Sequence, residues 1–154
     1  MINWINQKYG INLNDDYLTS IKDFALIWSI FEGQLFSNSF SIDKAEIVIQ
    51  NKEFNLENFQ ADFEYFKNRY IVNGITNIKF ENLYFRRNDR KDFVTSVLLS
   101  NSADVKEVVL ATTIIIYRIR NNFFHGLKDF RIIEQQVDNF THANSFLTVF
   151  LDYY

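Results

Sequence analysis

The sequence predicts an all-α fold: a single domain over residues 1–154, built as a bundle of about five or six helices. Three observations point there. Proline is absent and glycine occurs only at positions 10, 33, 74 and 126, so few residues break regular structure. Apolar residues recur at steps of three and four along most of the chain. At 154 residues, with 47% apolar and 18% aromatic content, the chain is long enough and apolar enough to bury a core.

The first long helix is expected from Asn14 to about Phe36, where Leu18, Ile21, Ala25, Trp28, Glu32 and Leu35 form an amphipathic stripe behind a cap of Asn14, Asp15 and Asp16. A shorter one follows Ser41, from Ile42 to about Asn51. The third starts at Asn55, carries Phe59, Phe63, Phe66 and Tyr70 on one face and ends near Gly74. Residues 75–87, "ITNIKFENLYFRR", fit an irregular connection and a short strand equally well. Asn88 or Asp89 can cap a helix through Phe93, Val94, Val97 and Leu98 to Leu99. Asp104 and Glu107 then form a capping box. Behind it Val105, Val108, Val109, Thr112, Ile115, Ile116 and Ile119 make a helix apolar almost all round, which belongs at the centre of the core. It should stop near His125, where Gly126 suits a left-handed C-terminus. Asp129 can cap the last helix, with Phe130, Ile133, Val137, Phe140, Leu147 and Leu151 as its buried stripe.

Composition excludes several function classes. Without cysteine there is neither a disulfide framework nor a thiolate metal site, and two histidines far apart in sequence do not suit zinc. No glycine-rich phosphate loop is present. The N-terminus "MINWINQKYG" lacks an apolar core of signal-peptide length, and the apolar runs fall short of the roughly 18 residues of a membrane helix. A cytoplasmic protein with no membrane partner is therefore expected. A net charge of -3 means that any polyanion must be met by a local basic patch.

The stretch "YRIRNNFFHGLKDF" sets Arg120, Asn121 and His125 directly after the most apolar run of the chain. At about 100° per residue Asn121 and His125 share a face, and the long arm of Arg120 can swing toward them. A cation in the last turn also simply complements the helix dipole, so position alone is compatible with a capping role. "RNNFFHG", however, resembles the Arg-x-x-x-x-His motif of the HEPN superfamily (higher eukaryotes and prokaryotes nucleotide-binding), including the polar residue after the arginine and the place near the end of the penultimate long helix. Outside the motif the likeness rests on the helical layout alone. The resemblance implies a metal-independent endoribonuclease acting as a toxin or host-defence effector, with no cofactor, or else an inactive nucleotide- or protein-binding module. It also implies Arg120 and His125 as catalytic residues, Asn121 as their polar neighbour, and a homodimer. A branch of HEPN toxins carries a tyrosine two residues after the histidine, where the antitoxin modifies it. Here Leu127 stands in that place, so an antitoxin partner would have to act in another way.

Those residue types fit the chemistry. Cleaving RNA through its own 2′-hydroxyl needs a base, a proton donor for the leaving 5′-oxygen and a cation for the phosphorane. A histidine titrating near neutrality serves either proton role, and a guanidinium holds phosphate bidentately. One histidine does not easily fill both roles, whereas a two-fold dimer with both motifs at its interface supplies two. Glu32 interrupts its apolar stripe and needs a partner, for which Arg120 is the expected choice. Arg86, Arg87, Arg90 and Lys91 in "RRNDRK" can track an RNA backbone, with Lys128 beyond the motif, although such a run also suits a solvated turn. His142 lies off the last stripe and is expected exposed or locally bonded. An all-α assembly module unrelated to HEPN proteins would leave the motif as a helix end only.

Overall fold

In the computed structural model, which describes residues 1–125 and 130–154, eight helices are laid down among the described residues, with a single two-stranded hairpin. They are α1 (Ile2–Tyr9), α2 (Asp15–Phe36), α3 (Ile42–Gln50), α4 (Glu57–Tyr70), α5 (Ile78–Glu81), α6 (Lys91–Leu99), α7 (Val105–Phe124) and α8 (Val137–Leu151). Strands β1 (Ile71–Val72) and β2 (Ile75–Thr76) lie between α4 and α5, and a 3₁₀ segment, Phe130–Gln136, precedes α8. The all-α class stands, and α1 and the single turn of α5 raise the helix number above the five or six expected. No helix among the described residues is long and apolar enough to cross a membrane.

Helix α7 is the axis. Asp104 accepts from Lys106 N and Glu107 reaches back to Asp104 N at 2.9 Å, so the predicted capping box is closed. Every residue from Val108 to Ile116 is buried, with α3, α4 and α6 packed against the helix. The hydroxyls of Thr112 and Thr113 donate to the carbonyls of Val108 and Val109, both at 2.8 Å, which lets two polar side chains sit in the core. On the other side α2 makes its most extensive packing with α8. One hydrophobic cluster, rich in phenylalanine, runs from Leu13 to Phe150.

Several expectations are corrected. The buried face of α2 is Ile21, Phe24, Trp28, Phe31 and Phe36; Ala25 is exposed, and Leu18 and Leu35 are half-buried. The phenylalanine rings remove far more apolar area from water than the alanine methyl does, and they set the rotation of the helix. Helix α4 ends at Tyr70 rather than near Gly74, because Asn73 (φ 52°) and Gly74 (φ 76°) make the two-residue turn of a hairpin that pairs Ile71 with Thr76 and Val72 with Ile75. Asn77 caps α5 through Lys79 N and Phe80 N, and its Nδ2 donates to Arg69 O at 2.8 Å, tying the hairpin to the end of α4. Helix α6 starts at Lys91 without a side-chain cap, since the Asp89 carboxylate is turned inward. In α8 the 3₁₀ turns, with three residues each, shift the helical phase. Phe146 and Phe150 go into the core, while Val137 and Leu151 are only half-buried. The caps expected from Gly126 and Asp129 lie outside the described residues, as does the side chain of Phe130.

Candidate active site at the C-terminal end of the central helix

The capping box fixes the phase of α7 at its start, and twenty helical residues carry that phase to the last turn, where Arg120, Asn121, Phe124 and His125 emerge. His125 is the C-cap (φ -94°, ψ 12°); its N–H donates to Asn121 O at 3.0 Å and its side chain is exposed. Asn121 is buried and its Oδ1 accepts from Arg120 Nη1 at 3.0 Å. The Arg120 guanidinium lies against two rings, 5.8 Å from the centroid of Trp28 and 5.4 Å from that of Phe124. Its Nε is buried and has no hydrogen-bond partner. Among the described residues no carboxylate lies within ion-pair distance of it, so a half-buried cation is supported by π faces and left unneutralised. Such a group attracts an anion.

Arg120 and His125 are five residues apart, which on an α-helix is about 140° around the axis, whereas Asn121 and His125 differ by about 40°. Asn121 therefore draws the guanidinium toward the histidine side of the helix, and one chain offers one cation and one imidazole at the end of α7.

Glu32 does not pair with Arg120. Its Oε2 accepts from Trp28 Nε1 at 2.9 Å and its Oε1 from Phe40 N at 3.2 Å. The reason is local. Trp28 stands one turn earlier on the same face, and left-handed Ser37 and Asn38 (φ 51° and 57°) fold the chain back so that Phe40 presents its amide. Glu32 thus fixes the indole ring on which Arg120 rests and acts on the guanidinium only through Trp28.

The basic run divides. Arg90 Nη2 pairs with Asp43 at 2.6 Å and with Glu46 at 2.9 Å, and these partners push its pKa above the ordinary arginine value. Lys91 pairs with Glu81 at 2.7 Å. Two of the four predicted phosphate contacts are therefore internally neutralised. Arg86 and Arg87 have no side-chain ion pair among the described residues and line a shallow cavity with Phe85. Lys128 lies outside the described residues.

Sequence reasoning missed the strongest polar cluster. Arg118 is 1% exposed; its Nη1 lies 2.9 Å from Asp89 Oδ2, its Nε donates to Leu83 O at 3.1 Å and its Nη2 to Tyr84 O at 2.6 Å. Asn122, one turn later, donates to Asn82 O and Leu83 O, and Asp89 also accepts from Arg86 N at 2.7 Å. Burial lowers the Arg118 pKa, the Asp89 charge opposes the shift, and nearby Arg86 adds to it. The signal was an arginine and an asparagine four apart, just after the apolar run of the helix. Their clamp holds residues 82–90 on the side of α7 that His125 continues, since a separation of seven residues returns to within about 20°. His142 is a second omission of partner: its Nδ1 is 2.8 Å from buried Asp62, and its ring stacks on Tyr65 at 3.9 Å.

Among the described residues no group of three or more His, Asp or Glu side chains could hold a metal. Compared with protein-family models, curated proteins and solved structures, the chain matches none.

Proposed function

We infer that the chain is an HEPN-type, metal-independent endoribonuclease that cleaves single-stranded RNA. The observation that carries this reading is the Arg120 guanidinium, without a carboxylate partner among the described residues, held over Trp28 and Phe124 and bonded to Asn121, little more than one helical turn before exposed His125. It agrees with the likeness of "RNNFFHG" to the HEPN motif. In the reaction the 2′-oxygen attacks phosphorus as one imidazole removes its proton. The phosphorane charge develops on non-bridging oxygens held by Arg120, and the 5′-oxygen leaves with a proton from a second, protonated imidazole, giving a 2′,3′-cyclic phosphate and a 5′-hydroxyl. The second imidazole comes from a second copy, with the two α7 ends at the interface of a homodimer. Arg86 and Arg87, held by the Arg118 clamp on the histidine side of α7, supply the local basic track that an acidic chain needs. The physiological role is that of a toxin or antiviral effector in the cytoplasm, restrained by an antitoxin that does not modify a tyrosine at position 127.

The test is cleavage of single-stranded RNA in excess EDTA, with DNA of the same sequence left intact. His125→Ala should lose about 10²- to 10⁴-fold in rate. Arg120→Lys should also fall, since an ammonium cannot make the bidentate contact. Cleavage undiminished in His125→Ala, or dependent on magnesium, rejects the mechanism. One observation favours the second reading, an inactive nucleotide- or protein-binding module: the 140° divergence of Arg120 and His125 leaves a single chain without a complete site. Saturable RNA binding by a strict monomer that never cleaves would establish that reading instead.

A further inference from the structure

A cavity of about 430 Å³ opens between α4, α5, α7, the 3₁₀ segment and α8. Ile119, Asn122 and Phe123 line it from α7, and neither Arg120 nor His125 is among its lining residues, so it is distinct from the Arg120–His125 site. Its volume is within the range of small-molecule sites.

The charges around it are uncommon for this chain. Arg69 and Lys79 both line the cavity, and among the described residues no carboxylate does. Elsewhere Lys22, Arg90, Lys91, Lys106 and Arg118 each sit against Asp or Glu. Among the described residues neither Arg69 nor Lys79 has such a partner. Arg69 Nε is in addition buried without any hydrogen-bond partner. Among the described residues, then, a buried Arg69 donor is left unpaired beside a second cation that meets no carboxylate, an arrangement that favours an anion in the cavity.

The remaining walls say what carries that anion. Asn122 and Asn139 are spent internally: Asn122 bonds the carbonyls of Asn82 and Leu83, and Asn139 bonds Tyr65 and Gln136. Asn82, Gln135 and the Nε2 of Gln136 keep amide groups without a side-chain partner among the described residues. No ring is offered as a stacking platform. Tyr70 and Phe140 are within the core at 2% and 1% exposure, and Phe123 is packed edge-on against Phe124 and Phe140. Amides without a flat aromatic surface suit hydroxyl groups rather than a nucleobase.

We propose that this cavity binds a sugar phosphate, its phosphate monoester held by Arg69 and Lys79 and its hydroxyls by Asn82, Gln135 and Gln136. The site is independent of the ribonuclease reading and stands or falls without it.

Isothermal titration of the full chain at low salt with ribose 5-phosphate and glucose 6-phosphate tests it. At least one should bind saturably, with the unphosphorylated sugar at least tenfold weaker. Lys79→Gln changes an exposed side chain, leaves the fold intact and should weaken binding about tenfold; Arg69→Gln should do the same, and Lys22→Gln should change nothing. Saturable binding of neither sugar phosphate, or binding unaffected by Lys79→Gln, overturns the proposal. Inorganic phosphate binding as tightly as the sugar phosphates overturns the assignment of the amide wall to hydroxyls.

Discussion

Replacing Arg118 by methionine tests whether the buried clamp holds the loop that brings Arg86 and Arg87 beside the end of α7. The substitution keeps most of the side-chain volume but strands the Asp89 carboxylate, whose side chain is only 9% exposed, and leaves the carbonyls of Leu83 and Tyr84 short of their charged donor. Removing one partner of a buried ion pair costs about 3–5 kcal/mol, because the other charge stays in a poorly polarisable surrounding. For a domain of this length each kcal/mol lowers the melting temperature by about 2–4 °C, so a fall of about 6–20 °C is expected. Urea unfolding gives the free energy, and amide exchange at Arg86, whose N–H donates to Asp89, reports the loop locally. Lys22→Met breaks the exposed pair with Asp15 and should cost about 0–1 kcal/mol in the same assay. The double change Arg118→Met with Asp89→Leu should cost less than the sum of the two single changes, since neither charge is then left alone. A loss below about 1 kcal/mol for Arg118→Met, with unchanged exchange at Arg86, would refute the clamp.

Two further stability predictions follow from single hydrogen-bond networks. Glu32→Gln replaces one of two accepting oxygens by a donor that faces either the Trp28 indole or the Phe40 amide, and should cost about 1 kcal/mol in urea unfolding, with a change in Trp28 fluorescence; no change would show that the turn after α2 does not need the carboxylate. Asp104→Ala opens the capping box of α7 and should cost about 1 kcal/mol, an effect that a circular dichroism melt would miss entirely only if the cap were redundant. The ribonuclease assay on His125→Ala and the sugar phosphate titration on Lys79→Gln complete the set.

Local patterns were read well because they act over one or two helical turns. Asn14 and the Asp104–Glu107 box cap the helices they were expected to cap, Ser41 caps the helix expected to follow it, and the apolar run after Asp104 became the central helix. The end of that helix was also legible, so Arg120 and Asn121 were placed one turn before His125 ahead of any tertiary contact. What failed were partner choices. Glu32 was given to Arg120 by the logic of opposite charge, yet a donor four residues away and a backbone amide folded back by a left-handed turn met both its oxygens at no cost in chain closure. Asp89, offered with Asn88 as a cap, instead crosses to Arg118, twenty-nine positions along the chain.

The sequence by itself determined the helical class, the central place of residues 105–124 and the polar turn at their end, since periodicity and capping depend on residues within reach of one another along a helix. Only the tertiary structure decided which charges are neutralised. Arg90, Lys91 and Arg118 look no different in sequence from Arg69, Lys79 and Arg120, and all six are simply basic residues on or beside helices. Packing brings carboxylates to the first three and gives the last three none among the described residues, with Arg120 set on aromatic rings and Arg69 left with a buried unpartnered donor. Ion pairing acts over a few ångströms in space, and residues that close in space are often far apart along the chain; the cations that remain free to meet a ligand are therefore a property of the fold.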